Sequence, residues 1–593
     1  MSNGFNQGFG GKDEGFDQKR MILAVAISAG ILFLWTWLFP QAPVQPNPTP
    51  AATPVSGVAS TPASAAPGAA PGSTPGSAAA AAAPVPSTKP AFEQREIARL
   101  HKPDFTELVL SNVDGRIQQW SLEESQYRLR DDKGEPAGPY PFIKGLTADA
   151  RKGIFLAPEL RLSLGGKSAS GAYSRASGDK MTTALTWTDP VTGVVVTRTY
   201  TLQPDDYSVD LEISLSNPGG AAVPYDLTAV LSGAQNDEEA SGSMFSPPIY
   251  AFEGICKRVD DFERMPISEI INSIQDPEEP TRFNDGVTWA GVDNRYFMTA
   301  VLPGEGEIEG CEFLIGPQAA GVDAASVPPN FTLVSTNIEL TGGEIAAGAT
   351  VKRSLRFYGG PKKMERLQRQ TPPLADAIDF GFFSPIAVPM LWLMRQFYNL
   401  IGNWGWAIIF LTVMVKLLTL PLTHKQYKSM ASMKKLQPEL KALQTKYKDD
   451  KTRLQQEMMG LYKEHKVNPL SGCLPMFLMM PIYFSLYRTI YSAVELYQAD
   501  YMFWIKDLSQ QDPYYITPIL LGLVMIVQTR LSPSTGDAMQ QKVMMWVMPI
   551  MFSGMMLFLP SGLVLYIFVN TVLGIAQQYM LYKRVGAPTA VAS

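Results

Sequence analysis

Histidine and cysteine are nearly absent, three of each in 593 residues, and that scarcity removes whole classes of chemistry. His101, His424 and His465 are too scattered for a metal cluster or a catalytic triad. No metal, no cofactor and no enzyme activity is therefore expected. Cys256 and Cys311 fall in one region, and two isolated cysteines leave their pairing open. Charge is thin too: Lys, Arg, Asp and Glu make up 18% of the chain against 46% hydrophobic, too apolar for an ordinary soluble enzyme. Residues 41–88 carry no charge at all and are mostly Ala, Pro, Ser, Thr and Gly, a composition that cannot bury enough surface to order itself. A phosphate loop is missing as well. Gly165-Gly166-Lys167-Ser168 has Arg161 where the first glycine of such a loop belongs, and nothing suggests a nucleic-acid site.

The apolar residues, by contrast, are concentrated. Residues 21–39 form an uncharged run after Lys19 and Arg20, read as an uncleaved transmembrane anchor with residues 1–20 in the cytoplasm. Residues 40–90 form a linker. Residues 91–360 change to short period-two stretches such as GVVVTRTYTL and YSVDLEISLSN, which predict an antiparallel β-sandwich outside the cytoplasm. Residues 361–402 read as a connector and an interfacial helix, because Pro385, Pro389 and Arg395 interrupt the apolar pattern and a span there leaves no room to cross back.

Five further spans are expected at 403–422, 469–492, 513–530, 543–559 and 562–582. Between residues 424 and 468 stand eleven Lys and Arg against five acids, which places that loop in the cytoplasm. Residues 423–467 predict a helical hairpin there, with Pro438 breaking or kinking its first helix. The 493–512 loop holds Glu495, Asp500, Asp507 and Asp512 against Lys506, which fits the opposite side. The expected fold is a polytopic α-helical membrane protein with six transmembrane helices, plus a large all-β domain. Residues 583–593 form a short tail, and both termini face the cytoplasm.

Lys416, inside the run NWGWAIIFLTVMVKLLTLPL, is the first candidate site residue. An ammonium facing lipid costs roughly 3 kcal/mol or more, so it must meet water or a partner. A snorkelling structural lysine is the bland alternative. Thr412, Ser485, Gln528, Asn570 and Gln577 supply polar company in the spans, enough to line a wet cavity. Met476, Met480, Met548, Met551 and Met555 are either lipid-facing bulk or a deformable surface that accepts many helices. Two other readings stay open. One is a transporter or channel that binds an anion at Lys416; the other makes the β-domain a carbohydrate-binding module.

The long run beginning at Asn403, together with FWIKDLSQQDPYYITPIL, DAMQQKVMMWVMPIMF and LPSGLVLYIFVNTVLGIAQQYMLYKR, resembles the YidC/Oxa/Alb family of membrane-protein insertases in its Gram-negative form. The resemblance implies an inner-membrane protein with a periplasmic β-supersandwich. It also implies a five-helix core around a hydrophilic groove open to the cytoplasm and to lipid. The family's groove charge, often arginine, falls on Lys416, and Thr412 matches a second groove position. Nascent membrane proteins, the lipid bilayer and the Sec translocon are the implied partners. Lys434, Lys435, Lys441, Lys446 and Lys448 of the hairpin are the candidate contacts for clients or a ribosome, and the tail after Arg584 departs from the family pattern in lacking the long basic extension that some members use on ribosomes.

Overall fold

The computed structural model describes residues 93–130, 136–146, 152–240, 251–275, 280–305, 308–447, 450–465, 470–531 and 542–585. The expected anchor at 21–39, the linker and Lys448 lie outside them.

Alternation of buried and exposed residues builds the β-domain. Along Val195–Leu202 every second side chain is buried, and Ser208–Ser216 continues the pattern. Its inward residues Val196, Tyr200, Leu211 and Ile213 are at most 2% exposed. One antiparallel row runs Thr182–Thr188, Val195–Leu202, Ser208–Ser216, Thr350–Pro361, Phe297–Glu305, Val287–Asp293, Glu253–Arg258 and Phe262–Pro266. A second runs Glu159–Leu164, Val223–Asn236, Phe331–Ile345 and Ile308–Ile315. The long strands of the second row pack on Val287–Asp293 and Glu253–Arg258 of the first, so the two rows enclose one core. Ile143 and Phe155 form the one parallel pairing among the described strands.

Cys256 lies in the first row and Cys311 in the second, and the structure joins them as a disulfide. The bond staples one layer to the other across 55 residues of sequence. Closing a loop of that length contributes on the order of 2–4 kcal/mol, mainly by restricting the unfolded chain. Reduction, or the double change Cys256→Ala/Cys311→Ala, is accordingly expected to lower the thermal midpoint of the β-sheet circular dichroism signal. An unchanged midpoint in reductant would show that the staple is idle.

Four side chains converge where the sandwich ends and the helices begin. Asp293, fully buried, accepts from both terminal nitrogens of Arg264 at 3.0 Å and from Lys362 Nζ at 2.9 Å. Arg264 also pairs with Glu253, and both Arg264 and Lys362 donate to the Ala377 carbonyl. One turn along, Glu124 accepts from Lys363 and Arg366.

The helices that follow are α1 (Ser384–Ile401), α2 (Trp404–Lys435), α3 (Gln437–Lys446), α4 (Lys451–Glu464), α5 (Leu470–Ser492), α6 (Ile516–Leu531), α7 (Met548–Met556) and α8 (Ser561–Val585). A π-helical turn, Val543–Val547, leads into α7. Among the described residues, two helical stretches are long and apolar enough to cross a membrane, Trp404–His424 and Ser561–Met580, while Ile516–Leu531 and Val543–Met556 are shorter apolar helices. Gly402 ends α1 in the left-handed region at φ 72°, and Asn403 caps α2 by accepting from the Trp406 N–H at 3.1 Å. The two helices therefore meet at a two-residue turn, with Tyr398 stacked on Trp404 at 4.1 Å.

Nothing stops α2 at the expected edge of its span. It absorbs Pro421 and continues to Lys435, breaking at Leu436, two residues before Pro438, which lies in the first turn of α3. Helices α3 and α4 then pack through Leu436, Leu440 and Tyr462.

Candidate functional site

The β-domain grips the outer ends of the helices, which fixes the direction in which each one runs. Gln126 Nε2 donates to the carbonyls of Val494, Glu495 and Tyr497 at 3.1–3.2 Å. Arg130 donates to the Gln498 carbonyl at 2.8 Å. Arg295 donates to the Tyr491 carbonyl at 2.8 Å, capping the last turn of α5, and its guanidinium lies 3.2 Å from the Tyr491 ring centroid. Buried Glu495 pairs with Arg395 of α1. The same loop supports the starts of α2 and α8, since Asn403 donates to the Tyr501 carbonyl at 3.1 Å and Ser561 N donates to the Gln510 carbonyl at 2.7 Å. Helices α2 and α8 therefore leave the β-domain side together, and α5 returns to it.

Depth follows from the helical rise. Taking 1.5 Å per residue, Asn570 and Tyr483 lie about 14 Å from their β-domain-side helix ends, Lys416 about 18 Å, and Thr423 and Gln577 about 24–28 Å. At the first level Tyr483 of α5 lies beside Asn570 of α8. At the last, Gln577 donates to the Thr423 hydroxyl, tying α8 to α2. Lys416 stands between them, half-buried, while its neighbours Leu417 and Leu418 face outward at 64% and 75% exposure. Among the described residues no carboxylate lies within ion-pairing distance of Lys416.

The hydroxyls divide into two groups. Thr412 and Ser485 are buried at 1% and 0% exposure and donate to their own helices, to Ile408 O at 2.7 Å and Pro481 O at 2.6 Å. Thr419 and Thr423 are missing from the sequence-based set, yet with Thr412 and Lys416 they complete a stripe at spacings of four, three and four on α2. That spacing is the signal that was available in the sequence. Gln528 is half-buried on α6, where Thr529 and Arg530 follow it to the helix end.

Of the methionines, Met548 and Met551 are 50% and 60% exposed on α7, whereas Met555 is partly buried against the core and Met480 is half-buried on α5. Met476 lies on the backbone of α5, outside the described side chains. Lys435 and Lys446 are exposed near the hairpin's first bend and at the end of α3. Lys434 and Lys441 share those helices, their side chains also outside the described set.

A bundle of apolar helices with a lysine and an amide-hydroxyl ladder in its interior, roofed by a disulfide-stapled β-sandwich, defines an integral membrane protein with a large domain beyond the bilayer. Residues 396–587 match the family described as 60Kd inner membrane protein, and residues 104–393 match the YidC periplasmic domain. A protein of Anaeromyxobacter dehalogenans strain 2CP-C named membrane protein insertase YidC is 35% identical over 98% of this chain and 99% of its own length. Its namesake in Geobacter metallireducens is 33% identical over 97% of this chain and 100% of its own. The crystal structure of an active YidC insertase with its first transmembrane domain resolved aligns with 82% of this chain and 95% of that one, at 19% identity and a TM-score of 0.34. The chain belongs to the YidC family.

Proposed function

We propose that this protein is an insertase and chaperone of the bacterial inner membrane, alone or beside the Sec translocon. It places nascent membrane proteins in the bilayer without bond chemistry or a cofactor of its own. The observation that carries the reading is Lys416: a half-buried ammonium without a carboxylate partner among the described residues, on an apolar helix, between two polar interhelical pairs.

With the β-domain in the periplasm, that ladder occupies the cytoplasmic half of the bilayer. Both chain termini then lie in the cytoplasm. The α3–α4 hairpin and its lysines receive the client, with or without a ribosome behind it. The polar flank that must cross enters between α2, α5 and α8, where Lys416 attracts acidic side chains and Thr412, Ser485, Gln528, Asn570 and Gln577 exchange hydrogen bonds with the flank as the helices part. The apolar segment leaves along Met548, Met551 and Met555, and each buried CH₂ contributes about 0.8 kcal/mol to its partition into lipid.

The test is reconstitution of the full chain in liposomes with a single-span client, reading protease protection of the translocated flank. Protection above empty vesicles, falling severalfold when the flank's acidic residues are changed to amides, is the expected result. Protection equal to that of empty vesicles, with accumulation of a small anion instead, would replace the insertase with a transporter.

A further inference from the structure

The segment 493–515, which joins α5 to α6, is built unlike the other loops. Five non-glycine residues in the described chain have positive φ, and three are here: Gln498 at 54°, Phe503 at 55° and Tyr515 at 56°. Glycine or asparagine adopts such a backbone readily, and a bulky aromatic there is uncommon. The surroundings hold it in place. Asp507 Oδ1 accepts from Gln498 N at 3.0 Å, Ser509 N at 2.8 Å and the Ser509 hydroxyl at 2.7 Å. Asp512 accepts from Trp504 Nε1 at 3.2 Å and from the N–H groups of Tyr514 and Thr517 at 3.0 and 2.8 Å. Tyr497 is wedged among Tyr127, Tyr296 and Phe297 of the β-domain.

This fixed frame presents aromatic rings outward instead of burying them. Phe503 sits at the tip of the tight turn closed by the 3.1 Å bond from Tyr501 N to Ile505 O, is 76% exposed, and stacks on Trp504 at 5.9 Å. Tyr514 and Tyr515 are 67% and 43% exposed. Below them α6 exposes the apolar side chains of Ile519, Leu520 and Leu523. Lys506 stands exposed three residues past Phe503. Rings above an apolar face, with a long cationic side chain beside them, match the boundary between lipid headgroups and acyl chains.

We propose that the 493–515 segment is a rigid foot, whose Phe503, Tyr514 and Tyr515 enter the headgroup–acyl boundary of the leaflet on the β-domain side. It sets how deep the helices below it ride. The strained turn keeps Phe503 aimed at the bilayer before any lipid is met, so no ordering is left to be done on insertion. This inference rests on the membrane reading given above, and its test separates the two.

In a Cys473→Ser background with the disulfide intact, an environment-sensitive nitrobenzoxadiazole dye is attached at Phe503→Cys. The full chain is then reconstituted in phosphatidylcholine vesicles containing doxyl-quenched lipids. Val191→Cys, 72% exposed on the β-domain, serves as the aqueous reference, and Leu523→Cys, 55% exposed on α6, as the deep one. The expected result is a blue-shifted emission at residue 503, quenched most by doxyl near the ester end of the lipid chain. Iodide should quench it severalfold less than at residue 191. Iodide quenching equal to that at residue 191, with residue 523 still quenched by lipid, would overturn the foot and leave the membrane reading standing. Aqueous behaviour at both 503 and 523 would remove both. Protection from iodide without quenching by any lipid would overturn the foot in favour of a protein contact.

Discussion

Lys416→Ala is expected to reduce insertion of a client with an acidic translocated flank by about 10- to 100-fold, while a client with a neutral flank loses little. An aspartate at mid-bilayer costs roughly 2.5–3.5 kcal/mol on insertion scales. A facing ammonium offsets a good part of that cost, and each 1.36 kcal/mol of barrier is about a factor of ten in rate. The position of the charge in the structure makes the effect specific. Lys416 has no carboxylate partner among the described residues to satisfy it, so its attraction is available to a passenger. Lys416→Arg should retain most activity, because the charge persists. Lys416→Glu should reverse the preference toward basic flanks. Single-turnover protease protection across the three variants and the two clients checks this, and equal loss for acidic and neutral flanks would assign Lys416 to packing.

Asp293→Ala is expected to destabilise the β-domain by about 3–5 kcal/mol, the usual consequence of removing one member of a buried ionic cluster. The change leaves Lys362, which is 6% exposed, without its carboxylate and Arg264 with Glu253 as its remaining ion-pair partner. Burial already holds the Lys362 ammonium below its ordinary range, and Asp293 is the main group pulling it back up. Without Asp293 the folded state binds that proton still more weakly than the unfolded chain does. The unfolded state then carries more protons, so the variant's stability rises with pH as it approaches the ordinary lysine value. Urea melts of the full chain in detergent at pH 7 and pH 9.5 read this directly. A variant whose loss is the same at both pH values would show that Lys362 is not the group left uncompensated.

The parts of this architecture that were legible in the sequence are those in which one segment carries its own signal. The period-two alternation of Val195–Leu202 and the apolar run that became the first half of α2 are of this kind. Lys416 announced itself by being charged where nothing else was. What escaped was whatever depends on two distant segments meeting. Gln126 and Val494 are 368 residues apart, and Arg295 and Tyr491 are 196 apart, so the clasp between sandwich and helices has no local pattern. Cys256 and Cys311 could be paired only once opposite layers brought them together. Thr419 and Thr423 were passed over for another reason. Threonine is tolerated among apolar residues when its hydroxyl donates to the preceding turn, as both do here, and only the stripe they share with Thr412 and Lys416 sets them apart.

The unbroken course of α2 has a metric consequence. A helix of 32 residues is about 48 Å long, some 18 Å more than the hydrocarbon it crosses. Its far tip, Lys435, therefore stands a fixed distance of about 28 Å beyond Lys416. An extended polypeptide covers roughly 3.4 Å per residue, so about eight residues of client bridge the gap. Under the proposed function the helix would act as a ruler: flanks shorter than this could not touch tip and charge at once, and longer ones would bow into the water between them.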